Sequence, residues 1–292
     1  MKKAALGFGF VVLAAGGCSG GSQHGPASFT VNLPSWTVPA GQEVLKCVYQ
    51  SMHNTQDVFV DKFVTEQIPG GHHLLGFLST TTLPDGTEVD CASAQSMESF
   101  RPLLTGLSKS GFELPAGYAV RVPANATLVW QSHYVNATTS AIQTKDKIEV
   151  FFTPASPNLV QVQAYMVNRL GFDLAPHAIS SDGQDCVVPQ DLNVFAIFGH
   201  MHEWGKAVKI ELGAPNALQP VYDVENWNTG FRDKPPMEQF PFDAPMQIHQ
   251  GEHVKLTCTW DNTLDTDLTF PQEMCAGGLW VFPASDPIIC SD

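Results

Sequence analysis

Positive charge is scarce in this sequence: 15 Lys and Arg stand against 29 Asp and Glu in 292 residues, a formal net charge of −14. A surface that tracks phosphates needs clustered basic side chains, so nucleic acid and anionic lipid are disfavoured as partners. Helical periodicity is also sparse. The best candidate, "ASAQSMESFRPLL" at 92–104, is limited by Pro102 to a few turns. No CxxC pair occurs, which argues against a zinc ribbon or a thioredoxin-type redox motif. The apolar run Ala4 to Ala15 is too short to span a bilayer.

What is present first is an export signal: Lys2 and Lys3, the apolar run, then small residues and Cys18. "LAAGGC" has the form of a bacterial lipoprotein cleavage site, with Cys18 as the lipidated residue and residues 1–26 as signal and tether. Ala15 departs from the leucine usual at that position, so plain secretion is the alternative. Either route predicts an exported protein, periplasmic or held at the outer membrane, touching lipid only through an anchor at Cys18. Six further cysteines, Cys47, Cys91, Cys186, Cys258, Cys275 and Cys290, predict three disulfides in an oxidising compartment, and spacing alone does not decide their pairing.

The remainder, 43% hydrophobic with 24 Gly and 21 Pro, reads as strands and turns. "LVQVQAYMV" (159–167), "AVKIEL" (207–212) and "HVKLTCTW" (253–260) alternate apolar and polar residues, as half-buried antiparallel strands do. "IEVFFTP" (148–154), "NVFAIFGHMH" (193–202) and "GGLWVF" (277–282) are denser in apolar residues and suit the inside of a sandwich. The expected fold is all-β: two antiparallel, jelly-roll-like sandwiches in tandem. "TPASPNL" at 153–159 divides them into an N-terminal domain, 27–155, and a C-terminal domain, 156–292.

Four motifs carry candidate chemistry. In "GGHHLLGF" His72 and His73 would point to opposite faces of a regular strand, so to share a metal the backbone must bulge, which Gly70 and Gly71 permit. Without a bulge they are one core and one surface histidine. "WQSHYVN" offers His133, which alone reads as a structural histidine. "GHMHEWGK" sets His200 and His202 two apart, on one face of a strand and at chelating distance. "PQEMCAGG" offers Met274, core filler or thioether ligand. The set divides evenly: His72, His73 and His133 before the break, His200, His202 and Met274 after it. Imidazole plus thioether without carboxylate favours copper, whereas calcium and magnesium want oxygen and zinc gains little from a thioether.

The ordered set, an adjacent His-His, a later "HY", an "HxH…GK" and an "EMC", resembles the copper type II, ascorbate-dependent monooxygenases, the family of peptidylglycine alpha-hydroxylating and dopamine beta-monooxygenases. The resemblance runs over roughly residues 45 to 283. It implies two nine-stranded sandwiches whose copper-bearing faces look at each other across a solvent gap. It assigns His72, His73 and His133 to an electron-storing copper. It gives His200, His202 and Met274 to the copper that binds dioxygen and hydroxylates a substrate C–H bond, with ascorbate or a similar one-electron donor reducing both ions. It further implies the pairings Cys47–Cys91, Cys186–Cys290 and Cys258–Cys275, and a place for Gln131 beside the first copper; Glu273 also matches, without a derivable role. The chain departs from the peptide-amidating branch at Phe198, where that branch has arginine, and at Ala276 and Gly278, where it has asparagine and tyrosine. Phe198, Trp204 and Trp280 therefore suggest a small apolar or aromatic substrate. The competing expectations are a non-catalytic envelope copper carrier and, more remotely, a zinc hydrolase using His200 and His202.

Overall fold

The computed structural model describes residues 28–89, 91, 99–104, 111–270 and 272–292. Cys18 and the tether lie outside them. The fold is all-β, two sandwiches in tandem. In the N-terminal lobe a six-stranded sheet, built on Val58–Gln67, Tyr118–Val122 and Asp146–Thr153, faces a five-stranded sheet ordered Glu88–Val89, Glu43–Tyr49, Leu128–Val135, Gly71–Ser79, Phe100–Leu104. In the C-terminal lobe a six-stranded sheet centred on Leu192–His200 and Ala276–Phe282 faces a four-stranded one, Ala178–Val187, His253–Asn262, Gly205–Gly213, Gln219–Val224. Among the described residues the strand counts thus differ from nine per lobe. Among the described residues no helix is long and apolar enough to cross a membrane.

Alternation in the sequence becomes alternation in burial. Val254, Leu256, Cys258 and Trp260 are buried along one face of their strand, packed against Val208, Ile210 and Ile197. Two expectations are corrected. Phe100–Leu104, the end of the candidate helix, is a strand paired with Gly71–Ser79, because Phe100, Leu103 and Leu104 are buried by the sheet; residues 92–98 lie outside the described set. The stretch 159–167 is two strands rather than one: Val160–Gln161 pairs in parallel with Tyr118–Val122 of the N-terminal lobe, and Gln163–Asn168 joins the C-terminal sheet. Val162 is buried between them, and the chain changes lobes there.

The lobes also touch directly, so the gap between them is closed over part of its extent. Phe195, Ala196, Trp280 and Phe282 share one core with Trp130, Val60 and Leu74 of the N-terminal lobe. Tyr118 meets Phe242 and Phe282 at ring-centroid distances of 4.5 and 5.1 Å, and Phe112 meets Trp280 at 6.0 Å. A register shift between Val194 and Ala196 inserts Phe195 as a bulge and reverses the parity of the strand. Val194 and Ile197 consequently face the C-terminal core, whereas Ala196 and Phe198 face the other lobe. The parity then puts His200 on the interlobe side as well.

The three disulfides are Cys47–Cys91, Cys186–Cys290 and Cys258–Cys275, the pairs the family resemblance implied. Asn136, one of two formal glycosylation acceptors, is a buried turn residue whose amide donates to the carbonyls of Val38, Pro39 and Ser140.

Candidate metal centres

The Gly71–Ser79 strand pairs with Leu128–Val135 in regular register up to His73 opposite His133; the next residue, Tyr134, is opposite Gly71. His72 is therefore the extra residue of a bulge, and both adjacent imidazoles turn to the same side as His133. Gly71 is required at this point: a Cβ there would lie 2.4 Å from the Gln67 Cβ. The nitrogens that His72, His73 and His133 offer all lie within 4.8 Å of one another, a grouping that could hold a metal ion. The Nδ1 atoms of His72 and His73 are 3.1 Å apart.

The outer ring nitrogens are held. His73 Nε2 donates to Gln131 Oε1 at 2.9 Å, and His133 Nε2 donates to Glu43 Oε1 at 2.6 Å. A proton on Nε2 leaves Nδ1 with a lone pair. His133 Nδ1 is buried without a hydrogen-bond partner and belongs to the same cluster. Desolvation of the His73 ring, then the neighbouring His133 and His72, holds its pKa well below the usual imidazole value. The ring is neutral and ready to ligate without first losing a proton. Glu43 is pulled down to about 2 by the hydrogen bond from His133, helped by the nearby Arg232 charge. Behind the sheet, buried Asp146 accepts from Ser132 Oγ at 2.6 Å and Tyr134 OH at 2.7 Å, pinning the residues on both sides of His133.

The second group is built differently. His200 ends a strand, His202 lies in the following turn, and between them Met201 is fully buried in the core, so the two imidazoles project together with ring centroids 5.1 Å apart. Desolvation of His200, then the proximity of His202, Arg232 and His72, lowers its pKa to about 3. His202 Nδ1 donates to the Gln272 carbonyl at 3.2 Å, which leaves Nε2 as the ligating nitrogen. Met274 is half-buried immediately before the Ala276–Phe282 strand.

Glu273 ties these pieces together. Fully buried, it accepts the amide N–H of His202 at 3.0 Å and of Met274 at 2.9 Å on one oxygen, that of Trp204 at 2.7 Å on the other, and Trp260 Nε1–H at 3.1 Å. A buried carboxylate is tolerable only with such donors, and here they come from both segments that carry the candidate ligands. The "EMC" motif contained this residue; its partners 69 to 71 residues away gave no local signal.

Phe198 and Gly278 are cross-strand neighbours, as are His200 and Ala276. The Phe198 ring lies over Gly278, where a Cβ would come within 2.3 Å of it. All three departures from the peptide-amidating pattern therefore fall in one apolar patch beside His200. Trp280, 2% exposed within the interlobe core, is packing and does not line a site; Trp204 packs on the C-terminal core.

No family model and no curated protein matches the sequence. Among solved structures, the major capsid protein of bacteriophage PM2 aligns at 8% identity over 88% of this chain and 97% of its own, with a TM-score of 0.33. A triple jelly-roll protein of an archaeal virus aligns at 10% identity over 89% and 61%, with a TM-score of 0.26. A secreted protein from Eubacterium rectale aligns at 9% identity over 85% and 71%, also with a TM-score of 0.26. At these scores the alignments carry no argument about chemistry.

Proposed function

We propose that this exported chain is a two-copper monooxygenase that hydroxylates a C–H bond of a small apolar or aromatic substrate, using dioxygen and an ascorbate-like one-electron donor. The observation that carries the reading is the bulge at His72, which turns three imidazoles onto one point with a buried, unpartnered Nδ1 at His133. A three-nitrogen cage suits an ion that stores an electron, and the His200, His202 and Met274 set adds a soft thioether that suits Cu(I). When bound, copper supplies one-electron redox chemistry at both centres and dioxygen activation at the second.

The chain's own residues prepare those centres. Gln131 and Glu43 fix the tautomers of His73 and His133, Gln272 fixes that of His202, and Glu273 holds the turn bearing His202 beside the Met274 segment. Phe198 over Gly278 presents an apolar surface two residues before His200, which suits a substrate without a carboxylate. Lipidation at Cys18 would hold the enzyme to the membrane.

Copper analysis combined with dioxygen uptake tests the reading. Two coppers per chain, with ascorbate-dependent uptake that Met274→Ile abolishes, are expected. Two coppers without uptake on any substrate would make the protein an envelope copper carrier; zinc alone, or a single copper, would sink the assignment.

A further inference from the structure

One side chain joins the two histidine groups across the lobes. Arg232, on the short helix Gly230–Asp233 of the C-terminal lobe, donates from Nη2 to Glu43 Oε1 at 2.6 Å and from Nη1 to Glu203 Oε1 at 2.5 Å. Glu43 belongs to the N-terminal lobe, 189 residues away, and the same Oε1 accepts from His133 Nε2. Glu203 directly follows His202. The helix itself is held to that turn: Trp227 Nε1–H donates to the His202 carbonyl at 2.9 Å, and Phe231 packs on Trp227 at a ring distance of 5.5 Å.

We propose that Arg232 is a positioning residue of the three-histidine centre, supplied by the opposite lobe. The guanidinium anchors Glu43 on the outer nitrogen of His133, so that Nδ1 stays turned toward His72 and His73, and through Glu203 it makes that orientation depend on the His202 turn. The physical reason is geometric. Glu43 stands at the first position of its strand with its side chain 44% exposed, so His133 alone would have to hold a carboxylate that water also solvates. A planar fork clamped between two carboxylates confines Glu43 in a way that a single ammonium cannot. Because Arg232 already holds two carboxylates, it offers no anion site for a substrate, in keeping with the apolar patch at Phe198.

This inference rests on the copper reading for its consequence but not for its test. Nitrogen-15 NMR of histidine in the metal-free full-length chain reports the His133 tautomer, and Cu(I) competition with a chelator, in a His202→Ala background, reports the three-histidine centre. In the wild type His133 should be the Nε2–H form. Arg232→Leu should mix the tautomers and weaken Cu(I) binding on the order of tenfold, with Arg232→Lys recovering part of both. A folded Arg232→Leu chain with the wild-type tautomer and an affinity within about twofold of wild type would overturn the proposal. If the wild type takes up no copper at this centre, the monooxygenase reading fails while the tautomer measurement still decides the role of Arg232.

Discussion

The two histidine groups solve the same problem by different means. In the N-terminal lobe every candidate ligand belongs to a strand, and side-chain partners, Gln131 and Glu43, set the rings. In the C-terminal lobe only His200 lies in a strand; His202 and Met274 sit in connecting segments, and the backbone is held by one carboxylate, Glu273. A ligand on a paired strand moves little, because the neighbouring strand holds its backbone, whereas a turn is only as rigid as its anchors. The difference matches the proposed division of labour: a fixed cage for electron storage, an adaptable one where dioxygen and substrate must enter.

The contrast breaks most visibly at Glu273. Glu273→Gln puts an NH2 group against buried N–H donors and removes the charge they converge on, at a cost of about 2–3 kcal/mol in denaturant unfolding. Copper should be lost chiefly from the C-terminal centre, with the three-histidine centre weakened only as far as the Glu203–Arg232 link transmits the change, so equal loss from both would refute the asymmetry.

Acid sharpens the comparison next, since each group contains one ring with a depressed pKa, His73 and His200. In the unfolded chain both would titrate near the usual 6.5, whereas the folded His200 ring resists protonation down to about 3. The unfolded state thus binds more protons over this window, and stability of the metal-free protein must fall as pH drops below 6.5. The slope approaches about 1.4 kcal/mol per pH unit for each ring. His200→Gln should remove one such contribution, visible as a shallower pH dependence of the unfolding midpoint; an unchanged slope would argue against a neutral, desolvated His200.

The smallest effect is expected at Gln131→Leu, which deletes the acceptor for His73 Nε2 while leaving the strand intact. Cu(I) affinity of the N-terminal centre should fall about tenfold or somewhat less, and the C-terminal centre should not respond. A response at both would mean that the cages are coupled more tightly than through Arg232 alone.

Much of this was legible from local pattern. Two-residue alternation located strands such as His253–Asn262; His200 and His202 do project together around a buried Met201, but the strand ends at His200, so the expected shared strand face is replaced by a strand end and the segment after it. Phe100–Leu104, the end of the candidate helix, misled because an apolar segment can satisfy a helix or a strand, and it was decided by the Gly71–Ser79 edge available to it. The run 159–167 misled for the opposite reason: its alternation is genuine, but two lobes divide it at Val162.

By itself the sequence determined the all-β class, the scarcity of basic residues and the residue types able to ligate a soft metal, because each depends on composition or on a period of two. Only the tertiary structure decided that His72 bulges toward His133, that Phe195 reverses a strand's parity, that Glu273 joins the His202 turn to Met274, and that Arg232 reaches Glu43 in the other lobe. Those contacts join residues far apart in the chain, and which of them form is fixed by how the sheets pack, a property that no local window contains.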